Sequence, residues 1–132
     1  MVDGLTVGFG MAETEETTGT VIDDVTMYAT YTYGSVTVGF TQSESDGPNA
    51  SNDIDFEAAG ITYAVTDDFT IGYHMSEDSN ANDTDQQEAT GISASYTSGG
   101  ITVGGAMNSV DNVAYDATAD LEGYEFNIAF AF

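Results

Sequence analysis

The side chains capable of chemistry in this chain are almost all carboxylates. Asp and Glu number 23 while Lys and Arg number 0, so the formal net charge is −23. There is one His, His74, and there is no Cys. Without cationic side chains the chain has no Arg clamp for carboxylate or phosphate, no Lys chemistry and no internal Lys or Arg salt bridge. Nucleic-acid binding is excluded on the same ground, because phosphate neutralisation needs cations on the protein. Without Cys there are no disulfides, thiol nucleophiles or thiolate metal sites. His74 has neither a second His nor an evident nucleophile, so it is read as a lumen or surface histidine rather than a catalyst. An enzyme is the least supported class. What remains for carboxylates is hard-cation binding. Asp78-Ser79-Asn80-Ala81-Asn82-Asp83-Thr84-Asp85 alternates oxygen-bearing side chains, with Asp78, Asp83 and Asp85 as candidate ligands. An EF-hand needs Gly at its sixth position and Glu at its twelfth, where this chain has Asp83 and Ala89, so that motif is ruled out. A loosely held Ca²⁺ or Mg²⁺ and a solvated, self-repelling surface both stay open. Asn49-Ala50-Ser51 and Asn82-Asp83-Thr84 match glycosylation sequons and carry no further meaning here.

The acids are grouped, and the grouping exposes the elements between them. They concentrate at Glu13–Asp24, Glu44–Glu57, Glu77–Glu88 and Asp111–Glu122. The intervening segments alternate with period two and are rich in β-branched and aromatic residues, which predicts strands. Leu5, Val7, Phe9 and Met11 share one face; Thr6, Gly8 and Gly10 share the other. Seven more segments behave alike: Val25–Tyr33, Val36–Thr41, Ile61–Val65, Phe69–Ser76, Ile92–Thr97, Ile101–Met107 and Tyr124–Phe132. In the fourth of these seven-plus-one segments Phe56 and Ala58 run out of phase with Ile61, and a bulge at Ala59-Gly60 would restore the alternation. No helical stripe and no run of about 18 apolar residues occurs, so no transmembrane helix is predicted. No basic, apolar secretory leader stands at Met1. The 132 residues read as a single domain, 1–132.

Connections alternate in length. Gly34-Ser35, Thr66-Asp67-Asp68 and Ser98-Gly99-Gly100 are tight turns, whereas the acidic clusters read as loops of about ten residues or more. Long loops therefore gather at one end of the sheet, with short turns and both termini at the other. Leu5-Thr6-Val7-Gly8-Phe9 recurs at Val36, Phe69 and Ile101, with successive copies 31, 33 and 32 residues apart. The first copy follows Asp3-Gly4, itself a turn dipeptide, as though a further strand preceded it.

These alternating strands, the one-sided acidic loops and the terminal Tyr124-Glu125-Phe126-Asn127-Ile128-Ala129-Phe130-Ala131-Phe132 resemble a Gram-negative outer-membrane β-barrel. The likeness is to the C-terminal portion of general porins, particularly alphaproteobacterial ones. It implies an all-β, antiparallel up-and-down transmembrane barrel, of which eight strands are present out of about 16. It further implies a homotrimer in the outer membrane, contact with lipid and lipopolysaccharide, and recognition by the assembly machinery through Phe132. The family also faces a basic cluster against an acidic one at its constriction, and a chain without basic residues offers no such pairing.

In a barrel of that kind the apolar face meets lipid between aromatic girdles. Tyr31, Tyr33, Tyr63, Phe69, Tyr96 and Phe132 would form the girdle at the short-turn end. Thr6, Thr30, Thr37, Thr62, Thr70, His74, Thr102, Glu125 and Asn127 would line the pore. These small inward residues cannot fill an eight-stranded interior, which favours a wider, water-filled lumen. The expected function is passive diffusion of small hydrophilic solutes and ions, with cations favoured by the acidic charge. Two alternatives are a soluble acidic β-sandwich with a structural or Ca-binding role, and a small eight-stranded anchor barrel without a pore. No cofactor is expected beyond loosely bound Ca²⁺ or Mg²⁺ at the loops.

Overall fold

The computed structural model describes residues 3–15, 21–48 and 53–131. They form one sheet of eight antiparallel strands, each hydrogen-bonded to its neighbours in sequence. The strands are β1 (Leu5–Glu15), β2 (Val21–Tyr33), β3 (Val36–Asp46), β4 (Ile54–Ala64), β5 (Phe69–Asn80), β6 (Gln87–Ser98), β7 (Ile101–Asp111) and β8 (Leu121–Phe130). β1 and β8 are not paired with each other, so the described sheet has two open edges. Phe132 and the Asn49-Ala50-Ser51 sequon lie outside the described residues.

Alternation sets the two faces, because successive side chains on a strand point to opposite sides. Pairing carries the apolar set across the sheet without interruption: Leu5 opposes Tyr31, Tyr31 opposes Val38, Val38 opposes Ile61, and Ile61 opposes Tyr73. The row continues through Ile92 and Met107 to Tyr124. The opposite face carries Thr, Gly, Ser and Ala. Among the described residues no hydrophobic side chain is buried. Tyr33 is 77%, Met11 and Tyr124 are 74% and Phe126 is 71% exposed. A sandwich would require a second sheet packed on this one, and all eight described strands belong to the same sheet. The sandwich alternative therefore has no second layer to supply its core.

The short turns form where the sequence places them. Gly34 has φ 58°, and Gly99 and Gly100 have φ 58° and 80°, a left-handed backbone that glycine adopts at no steric cost. At the β4–β5 turn Thr66 substitutes a side chain, its Oγ1 accepting from Asp68 N at 3.3 Å and Phe69 N at 3.1 Å. Beside two of the turns Thr pairs bridge the strands, Thr32 to Thr37 at 2.9 Å and Thr97 to Thr102 at 2.8 Å between hydroxyl oxygens.

Two expectations fail for one reason. The bulge at Ala59-Gly60 does not form: β4 keeps one-to-one register with β3 and β5 from end to end. Phe56 consequently falls on the polar face, opposite Ser43 and Asp78. Nor are the acidic clusters simply loops, because the strands run on into them. β1 reaches Glu15, β3 reaches Asp46, β5 reaches Asn80, and β6 starts at Gln87. The apolar face turns acidic at this end while the hydrogen-bond ladder continues, since backbone pairing is indifferent to which face is wet.

Three glycines of the polar face are closely surrounded. A Cβ added at Gly72 would stand 2.8 Å from Ser93 Oγ, and one at Gly104 would stand 2.8 Å from Asn127 Oδ1. At Gly91 it would collide with the His74 ring and Asn108. Neighbouring side chains thus fill the space beside these three glycines, whereas Gly10 and Gly123 on the same face stand clear. Gly91→Val is therefore expected to destabilise the fold by about 1–3 kcal/mol through overpacking, read as a lower midpoint temperature of thermal unfolding. Gly123→Ala, where nothing lies within 4 Å, should leave that temperature unchanged.

Candidate pore-lining face and its mouth

The residues singled out from sequence sort cleanly by face. Thr6 opposes Thr30, Thr37 opposes Thr62, and Thr62 opposes Gly72. Thr70, His74, Thr102, Glu125 and Asn127 lie on the same polar face. Tyr31, Tyr33, Tyr63, Phe69 and Tyr96 lie on the apolar face, at the short-turn end. Asn127 Nδ2 donates to Glu125 Oε1 at 3.4 Å, a long bond that ties two inward residues of β8 together. His74 stands over Gly91 with Asn108 beside it. Tyr28 lies across Gly8, whose missing Cβ leaves room for the ring. The sequence marks Tyr28 as the one aromatic on the Thr face of its strand, a signal that alternation alone left unread.

The outward acids have an order that composition does not reveal. Asp23, Asp55, Glu88 and Glu122 occupy the same position relative to Tyr31, Tyr63, Tyr96 and Phe130 on the four even strands. Glu13, Glu44 and Glu77 do so on three of the odd strands. In register, Glu13 opposes Asp23, Glu44 opposes Asp55, Glu57 opposes Glu77, Glu77 opposes Glu88, and Glu88 opposes Asp111. A collar of carboxylates thus borders the apolar band on its long-loop side. Like charges directly opposite on a sheet repel, and the chain has no Lys or Arg to offset them.

At the level of the collar the opposite face is mixed: Ile22, Ile54, Phe56, Val110 and Leu121 stand among Asp24, Ser43, Asp78 and Gln87. Here the β7–β8 connection, residues 112–120, folds over the polar face. Asn112, Ala114 and Tyr115 have φ of 56°, 56° and 63°, left-handed conformations that non-glycine residues seldom adopt. The loop closes on itself through Val113 N to Ala119 O at 2.6 Å and Tyr115 N to Asn112 O at 2.8 Å. Asp116 accepts from Thr118 N at 3.0 Å and Thr118 Oγ1 at 2.8 Å, and these bonds hold its carboxyl below the usual carboxylate range. Tyr115 Oη donates to Asp78 Oδ1 at 2.8 Å. Desolvation, then that bond and the charges of Asp78 and Asp83, push the Tyr115 phenol above its ordinary value. Nothing in the sequence announces this contact, since it depends on left-handed residues that carry side chains.

The candidate cation ligands are dispersed. Asp78 sits on β5 and is engaged by Tyr115, whereas Asp83 and Asp85 lie in the β5–β6 loop, where Thr84 Oγ1 donates to Asp85 Oδ2 at 3.4 Å. Among the described residues no group of three or more His, Cys, Asp or Glu is arranged to hold a metal ion.

No protein-family model matches this chain. No curated protein matches it either. A solved structure does: a porin refined at 1.8 Å resolution, similar with a TM-score of 0.80 at 19% sequence identity, over 98% of this chain and 48% of that one. The chain spans about half the length of that porin, and its fold is porin-like.

Two outcomes test these assignments. The chain lacks Cys, so single cysteines report one position each. Reconstituted into lipid vesicles, Thr70→Cys and Asn127→Cys should react with a charged, membrane-impermeant thiol reagent, and Ile71→Cys and Phe126→Cys should not. Raising ionic strength from about 0.01 M to 0.5 M should raise thermal stability, because the Debye length falls from about 30 Å to below 10 Å and screens the collar.

Proposed function

We propose that this chain forms part of a porin barrel in the outer membrane of a Gram-negative bacterium, a water-filled channel for passive diffusion of small hydrophilic solutes and ions. The observation that carries this reading is a single-layer sheet with no buried hydrophobic side chain among its described residues. Its continuous apolar face needs a non-aqueous solvent, and its small polar residues need water. Burying an apolar side chain contributes about 1.5–3 kcal/mol, and with no second protein layer that gain has to come from lipid. The porin-like fold, about half the length of the similar porin, supports a larger barrel over a closed barrel of eight strands, as does the absence of β1–β8 pairing. An open apolar trough of about 830 Å³, lined largely by residues such as Ile61, Tyr63, Tyr73, Ile92 and Met107, is of a kind that acyl chains fill.

Thr6, Thr30, Thr37, Thr62, Thr70, His74, Thr102, Glu125 and Asn127 line the lumen in this reading, and Glu125 with the acidic mouth favours cations over anions. Homotrimer formation, contact with lipopolysaccharide and engagement of the assembly machinery through Phe132 belong to the same proposal, on the family resemblance. The test is reconstitution of the intact protein into planar bilayers. A salt gradient should give a reversal potential of the sign for cation preference, reduced by Glu125→Gln. A protein that stays out of the membrane fraction, or inserts without conductance, overturns the reading.

A further inference from the structure

We propose that His74 is the residue that sets the ion preference of the lumen's middle band: cations are favoured while its imidazole is neutral, and that preference falls once the ring is protonated. The inference rests on the channel reading and adds the residue that controls its selectivity. His74 is the single histidine of a chain with no Lys or Arg, so its ring is the one side chain able to carry positive charge. Imidazole is also the side chain whose charge ordinarily changes between pH 5 and 8.

Register places the ring on the polar face in a row with little beside it. His74 opposes Gly60 on β4 and Gly91 on β6. The row runs on through Gly39 to Thr30 and Thr6 on one side, and through Asn108 to Gly123 on the other. No other member of it is ionisable. The imidazole is exposed and leans over Gly91, where its Nε2 and Asn108 Oδ1 occupy the space that a Cβ would need. The missing Cβ seats the ring against the wall while one side of it stays open to water.

What faces the ring decides whether its charge is felt. On the polar face β4 offers Ala58, Gly60 and Thr62, β6 offers Ala89, Gly91 and Ser93, and β7 offers Ala106, Asn108 and Val110. None of these titrates. The strands put three carboxylates on this face, Asp24, Asp78 and Glu125. Asp78 lies four residues along β5, about 13 Å away, and Glu125 lies three strands away, about 14 Å. Asp24 is also three strands away and further along the sheet. In the β7–β8 loop the Tyr115 phenol is bonded to Asp78 and Asp116 is bonded to Thr118. At about 0.1 M salt the Debye length is about 10 Å, so no carboxylate on these strands stands close enough to cancel a protonated His74. The band at its level is neutral at alkaline pH and positive at acidic pH, and low-dielectric walls focus such a charge on the ions passing it.

The test is the reversal potential of the intact protein in planar bilayers under a salt gradient, at about pH 8 and about pH 5.5, on either side of the range in which imidazole changes charge. The wild-type cation-to-anion permeability ratio should fall roughly 2-fold on acidification, as a fixed positive charge enters the lumen wall. His74→Gln should keep most of its alkaline ratio, and the small loss that remains reports the carboxylates. His74→Lys, charged throughout, should show the lower ratio at both pH values. A purely structural role for the ring would not separate the Gln and Lys variants in this way. The midpoint of thermal unfolding verifies folding; if His74→Lys fails it, the comparison of wild type with His74→Gln carries the test. A conducting wild type and His74→Gln variant with the same response to pH overturn the role of His74 and leave the channel intact. A wild type that does not conduct overturns the channel reading and the selectivity residue with it.

Discussion

A single sheet has no inside of its own. Every other feature of this molecule follows from that constraint. Eight strands pair edge to edge and the six inner ones satisfy their backbone groups within the sheet, but pairing alone gives the side chains nowhere to hide. In a sandwich the second layer receives the apolar face. Here the apolar face stays uncovered among the described residues; the channel reading gives it lipid and gives the polar face water. Glycines at 72, 91 and 104 leave room on that polar face for their neighbours' side chains.

Much of this was legible from the residues. Period-two alternation located all eight strands, and the recurring Leu5-Thr6-Val7-Gly8 pattern fixed the hairpin as the unit of repetition. Glycine at 34, 99 and 100 marked the tight turns through backbone chemistry that acts locally. What escaped was the long-loop end. There charge density mimics a loop, although the ladder of backbone hydrogen bonds continues through it. Phe56 does lie on the opposite face from Ile61, and the strand needs no bulge because the polar face itself accepts an aromatic ring there.

The contact between Tyr115 and Asp78 shows a different limit. Its partners are 37 residues apart, and the loop that joins them depends on three side-chain-bearing residues in left-handed geometry. Asn tolerates that region, but Ala114 and Tyr115 carry no such preference. Local propensity argues against the loop's shape, and long-range bonds to Gln86, Gln87 and Asp78 add to its internal bonds in stabilising it. Sequence patterns report what neighbours dictate, and this loop is dictated from two strands away.

In the channel reading the carboxylate collar also sets a waterline. In a bilayer, sinking the sheet by one residue pair along a strand would drag an acid on nearly every strand toward hydrocarbon at once, each with a desolvation penalty and none with a cation beside it. Rising by the same step would lift Met11, Met75 and Met107 into water on the odd strands. Each displacement multiplies a modest single-residue penalty by the number of strands. A barrel edged in this way floats at one draught, and its vertical position is settled by the ring as a whole rather than by any anchor residue.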